Sequence, residues 1–191
     1  LDTCTHPNID ANGKCGTCQH QFVATMTAPD RTVTGYTTLG EALTAVEIPS
    51  ADAQNATKYT VRLHQDTTED VNIDGGKFTL DLNGKTATAA NGTTISGATT
   101  MVIISEGKLV SDVTISGSAQ VTVDGAVDLG TITLQDSSNL IFWPSSSAAA
   151  FKVESAAALL TMNGGAVGAI NMTAGTVNAN AESRITGQVD V

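Results

Sequence analysis

Apolar residues recur along this chain at intervals of nineteen. One column runs through Val113, Ile132, Phe151, Ile170 and Val189, and a second, two residues further on, through Ile115, Leu134, Val153, Met172 and Val191. The residue between them is polar in every copy: Thr114, Thr133, Lys152, Asn171 and Asp190. Each triplet therefore alternates in, out, in, as a half-buried strand must. A second strand set shares the interval. Val102 and Ile104 are followed by Val121 and Val123, then by Leu140 and Phe142, and the match weakens at Leu159 and Thr161. Upstream, Val61 and Leu63 step by nineteen to Leu80 and Leu82, and a turn three residues longer leads on to Val102 and Ile104. At least two strands per turn, separated by Gly, Ser, Asp and Asn corners, predict an all-β fold: a parallel β-helix of about 19 residues per turn. Successive turns of such a coil stack at ~4.8 Å, and no turn buries its inner face without a neighbour.

The ends of a stacked coil are open sheet edges that need cover. At the N-terminal end, Thr38 and Glu41 are spaced as a capping box, and Leu39, Ala42, Leu43 and Val46 fall on one helical face. This predicts a short amphipathic α-helix as a lid. No counterpart follows Val189 and Val191, so the far end is expected to meet further coils, another domain or a partner. The chain begins at Leu1, not Met, and is read as a processed piece of a longer protein. Three regions follow: a metal knuckle over 1–24, a linker and capping helix over 25–58, and the β-helix over 59–191.

Composition narrows the function classes. Nine Lys and Arg against 19 Asp and Glu give a formal net charge of −10, which repels phosphate backbones and anionic membranes, so nucleic acid is excluded as a partner. No apolar run approaches the ~20 residues that a bilayer span requires, and no membrane insertion is expected. Aromatic residues make up only 4%, so small aliphatic side chains must fill the interior.

The candidate chemistry is N-terminal. The three cysteines form, with one histidine, the pattern Cys4-x-His6 followed by Cys15-x-x-Cys18. Two close pairs joined by a loop containing Asn12-Gly13 can present three thiolates and an imidazole tetrahedrally, which suits zinc. His20 can stand in for His6. A disulfide framework is the competing reading, although an odd number of cysteines strands one thiol. A closed Cys3His set leaves no position for water or substrate, so the zinc would be structural.

Elsewhere the candidates are weaker. The acidic residues Asp66, Glu69, Asp70 and Asp74 suit either calcium or a solvated edge. Arg62 and Asp81, nineteen apart, should stack as an ion pair, and His64 is read as a solvated strand-end side chain. The second strand set is apolar in both phases, and a strand apolar on both sides needs cover on both. Either residues 19–35, with Phe22, Val23, Met26 and Val33, run across that face, or Ile103, Ile141, Trp143, Leu160 and Met162 form an exposed binding patch for a protein, a second copy or a sugar stacked on the tryptophan.

The segments from Tyr36 through Val46, YTVRLHQD at 59–66 and DVNIDGGKFTLDLNGKT at 70–86 resemble the opening of right-handed parallel β-helix domains of the pectin-lyase-like superfamily, as found in surface proteins of Gram-positive gut bacteria. The resemblance covers about four-fifths of the chain and implies a right-handed coil, an extracellular or cell-surface location, and assembly with other domains of a parent surface protein. Host or bacterial proteins, polysaccharides, and self-association through the apolar face or the open C-terminal end are the further partners considered. Catalytic members use paired aspartates, or calcium-binding carboxylates beside an arginine base. Here there is no Asp-Asp pair, no Gly-His-Gly and no Arg-Ile-Lys, Arg184-Ile185-Thr186 being the nearest. The expectation is a non-catalytic spacer or adhesive module, with a carbohydrate-active protein as the alternative.

Overall fold

In the computed structural model, which describes residues 4–6, 8–51, 54 and 58–191, the inner columns stack one above another. Val113, Ile132, Phe151, Ile170 and Val189 are successive partners in parallel ladders. Ile115, Leu134, Val153 and Met172 are likewise. The architecture is a parallel β-solenoid of about 7 turns with about 19 residues per turn.

Each full coil feeds three ladders. The first is a sheet of seven parallel strands from Thr60–Leu63 to Thr176–Ala179, extended at one edge by two antiparallel strands. The other two ladders are halves of one bent sheet. The long strands Val127–Leu134, Ser147–Val153 and Ala166–Met172 run through the bend and belong to both. At that bend the coils nearly touch: a Cβ on Gly168 would collide with the carbonyl oxygen of Ala149 one coil below. Small and branched aliphatic side chains fill the interior between the sheets, with Phe142 and Phe151 packed edge to face at 5.2 Å.

The two strand sets keep different time. The half of the bent sheet that carries the columns of Val113 and Ile115 holds nineteen from there onward, whereas the first sheet pairs Met101 with Val121, Val121 with Leu140, and Leu140 with Leu160. The expected phase is therefore wrong by one residue at two coils. Met101 and Ile103 point inward instead of Val102 and Ile104, and Leu160 and Met162 instead of Leu159 and Thr161. The second slip has a visible cause. The corner from Leu134 to Leu140 takes six steps and the corner from Val153 to Leu160 takes seven, and a one-residue insertion turns every following side chain to the opposite face.

The lid forms as expected over Leu39–Ser50, burying Leu39, Ala42, Leu43 and Val46. Thr38 Oγ1 accepts the N–H of Glu41 at 3.1 Å, and Glu41 accepts the N–H of Thr38 at 3.3 Å. A second carboxylate reaches the same helix end from the first coil: Glu69 accepts the N–H groups of Leu39 and Gly40, each at 2.8 Å. This side chain locks the lid to the solenoid through charge-assisted bonds at the positive end of the helix. Glu69→Ala is expected to lower unfolding free energy by about 2 kcal/mol, measured from urea midpoints.

The segment before the helix is not a plain linker. Ala24–Thr27 and Val33–Tyr36 form a hairpin, and Ala24–Thr27 pairs antiparallel with Thr60–Leu63. It extends the first sheet at its N-terminal edge and does not run across the sheet's outer face, because the first coil's edge strand needs a hydrogen-bonding partner. At the other end Ile185 and Val189 stand 37% and 50% exposed. Among the described residues no helix is long and apolar enough to cross a membrane.

Candidate metal centre

The N-terminal knuckle is built from tight turns. Asp10 Oδ1 accepts the N–H groups of Asn12 and Lys14 at 2.8 and 3.0 Å, which hold its carboxyl below the usual carboxylate range. Gly13, at φ +75°, doubles the chain back so that Ile9 bridges Cys15 and Lys14 bridges Gln21. A second turn follows, with the N–H of Gln19 donating to the Cys15 carbonyl at 2.9 Å and the N–H of Cys15 to the His20 carbonyl at 2.8 Å.

These turns bring Cys4, His6, Cys15 and Cys18 together, with one donor atom of each within 4.8 Å of all the others. Cys4 Sγ lies 3.7 Å from Cys15 Sγ, and Cys18 Sγ lies 3.2 Å from His6 Nδ1. Metal–sulfur bonds of about 2.3 Å at tetrahedral angles place sulfurs ~3.8 Å apart, and a nitrogen ligand ~3.5 Å from a sulfur. These two distances are close to the edges of one coordination tetrahedron, and the four side chains could hold a metal ion. None of the three cysteines is in a disulfide. His6 belongs to the cluster; His20 instead packs its ring on Phe22 at 4.6 Å.

The electrostatics favour a cation. The N–H of Cys18 hydrogen-bonds the Cys15 sulfur and, with His6 and the N–H of Thr17, brings that thiol down to about 6. For Cys18 the N–H of His20 pulls the same way, but burial and the neighbouring sulfurs of Cys4 and Cys15 outweigh it and push the thiol up to about 11. Three thiolates this close repel one another unless a positive ion sits among them. Four protein ligands close a tetrahedral shell, so such an ion would hold structure and bind no substrate.

The knuckle is seated on the solenoid. Phe22, 5% exposed, lies edge-on to His6 at 5.1 Å, and its ring fills the space beside Gly35, where any Cβ would collide with it. A Cβ on Gly13 would likewise fall 2.5 Å from the ring of His64. His64 is not solvated: it is 9% exposed, Nε2 lies 2.9 Å from Thr25 Oγ1, and burial, with the charge of Arg62, lowers its pKa. Residue type and position alone carried no signal for this, because the knuckle and the hairpin that bury it come from another part of the chain.

The other candidates do not converge. Ile103, Leu160 and Met162 are core residues, 2%, 0% and 0% exposed, so they cannot share an outer patch with Ile141 and Trp143. Ile141 is half-buried and Trp143 is 41% exposed. Threonines interrupt the outward row, which reads Thr79, Val102, Thr122, Ile141, Thr161 and Asn178. The acidic residues are separately engaged: Asp66 accepts the N–H of Thr86, Asp70 binds Asn91, and Glu69 caps the helix. Arg62 Nε and Asp81 Oδ2 pair at 2.8 Å, as their spacing suggested. Among the described residues no other group of three His, Cys, Asp or Glu side chains is arranged to hold an ion. In comparisons with protein-family models, with curated proteins and with solved structures, no match was found. The family resemblance therefore rests on the sequence motifs.

Proposed function

We propose that the chain is a non-catalytic β-helix module of a larger bacterial surface protein, a pectin-lyase-like rigid spacer or adhesive segment whose knuckle is stapled by zinc. The observation that carries this reading is the register of the coils, which holds outward side chains in straight rows, while the Cys4, His6, Cys15 and Cys18 cluster offers four protein ligands and leaves no open position. A stack of parallel coils is stiff because every inner residue is buried by the coils above and below. Zinc is the metal of choice because three thiolates and an imidazole at tetrahedral spacing match its preferences.

The second reading, a carbohydrate-active protein, is favoured by the exposed ring of Trp143, which offers a flat apolar face to solvent. One experiment addresses both. Incubation with pectate and alginate, with and without calcium, is expected to release no product, and calcium-dependent release would overturn the non-catalytic reading. Retention on the same polymers in an affinity gel, abolished by Trp143→Ala, would favour the carbohydrate reading, whereas absence of retention leaves the spacer.

A further inference from the structure

The seam between knuckle and solenoid forms an open polar cavity of about 490 Å³ lined by Asn12, Gln21, His64, Gln65, Asn83 and Lys85. Three of its amides are already oriented. Gln21 Nε2 donates to the carbonyls of Asn12 and Gly13, Gln65 Nε2 to that of Phe22, and Asn83 Nδ2 to that of Leu63. A carbonyl accepts only from the NH2 side of an amide, so these bonds fix which end of each side chain is used up. The oxygens of Gln21, Gln65 and Asn83 remain for a ligand. His64 stands in the wall with Nε2 engaged by Thr25 and Nδ1 buried without a hydrogen-bond partner. Burial, with the charge of Arg62, lowers its pKa.

A wall of amide oxygens calls for a ligand that donates hydrogen bonds. Carboxylates and phosphates, which only accept, are a poor match, and the ammonium of Lys85 disfavours a cation. Hydroxyl groups remain: they donate to the amide oxygens and accept from Lys85. We propose that this cavity is a binding site for a neutral saccharide unit, gripped by Gln21, Gln65, Asn83 and Lys85 beside the His64 ring. The inference needs the knuckle seated against the first coil and is independent of the function proposed for the coils.

The test is a titration of the ¹⁵N-labelled full chain with D-glucose, D-galactose and N-acetylglucosamine, and separately with sodium acetate and inorganic phosphate, followed through the side-chain amide signals of Gln21, Gln65 and Asn83 and the His64 ring nitrogens. Saturable shifts of these signals with at least one sugar are expected, with affinity reduced roughly tenfold in Lys85→Met, as for loss of one charged hydrogen bond. Asn12→Ala leaves the backbone bond to Asp10 in place and serves as the second variant, with weaker binding expected. No saturable response to any of the three sugars, or a response to acetate or phosphate alone, would overturn the proposal.

Discussion

Removing the metal is expected to divide the chain into two regions of different fate. With a chelator present, or in Cys15→Ser, residues before the hairpin should become open to protease while the solenoid keeps its β-sheet signal. The reason is the imbalance in what each region can bury. The solenoid has a continuous apolar interior from Val61 to Ile170, whereas the knuckle contributes little beyond Cys15 and Phe22. A structural zinc supplies on the order of 10–16 kcal/mol of binding free energy to a small knuckle, far more than two buried side chains supply. Loss of the knuckle also uncovers His64 and the outer side of the hairpin, so a modest fall in the solenoid's own unfolding midpoint should accompany it. Limited proteolysis followed by mass analysis, with far-ultraviolet circular dichroism on the same samples, reads both effects. Uniform resistance with and without chelator would show that the knuckle holds itself together without an ion.

The second large effect concerns two adjacent leucines. Leu160→Asp is expected to destabilise the protein severely, by about 4 kcal/mol or more, because it places an unpaired carboxylate where the native side chain is 0% exposed. Leu159→Asp, one residue earlier and directed outward in the same strand, should stay within about 1 kcal/mol. Urea midpoints of the two variants give the comparison. A strict nineteen-residue phase in the first sheet requires the opposite ranking, so the pair discriminates between the two registers at one coil.

That contrast shows which features were legible in the sequence. The columns through Phe151 and Val153 could be read directly because their half of the bent sheet keeps a constant repeat and the residue between them is polar in every copy. The first sheet was harder because Val102, Ile104, Ile141 and Leu159 are apolar although they face outward. With apolar residues in both phases, the alternation that sets the register is lost, and the extra residue at the corner before Leu160 goes unnoticed. The capping box of Thr38 and Glu41 was legible because its partners are local. Glu69, which caps the same helix from thirty residues away, looked like part of an acidic cluster. The candidate metal ligands were legible as a set because four residues at close spacing consume every cysteine, and the structure places His6, not His20, among the three sulfurs. His64 and its cavity were not, since they exist only where two distant segments meet.

The most direct test of the central claim, a closed zinc centre formed by Cys4, His6, Cys15 and Cys18, is native mass spectrometry of the untagged chain followed by the same sample under denaturing conditions. One zinc ion per chain, released on denaturation to leave the fully reduced mass, is the predicted result. A metal-free native mass two hydrogens below that of the reduced chain would replace the zinc centre with a disulfide and contradict the account.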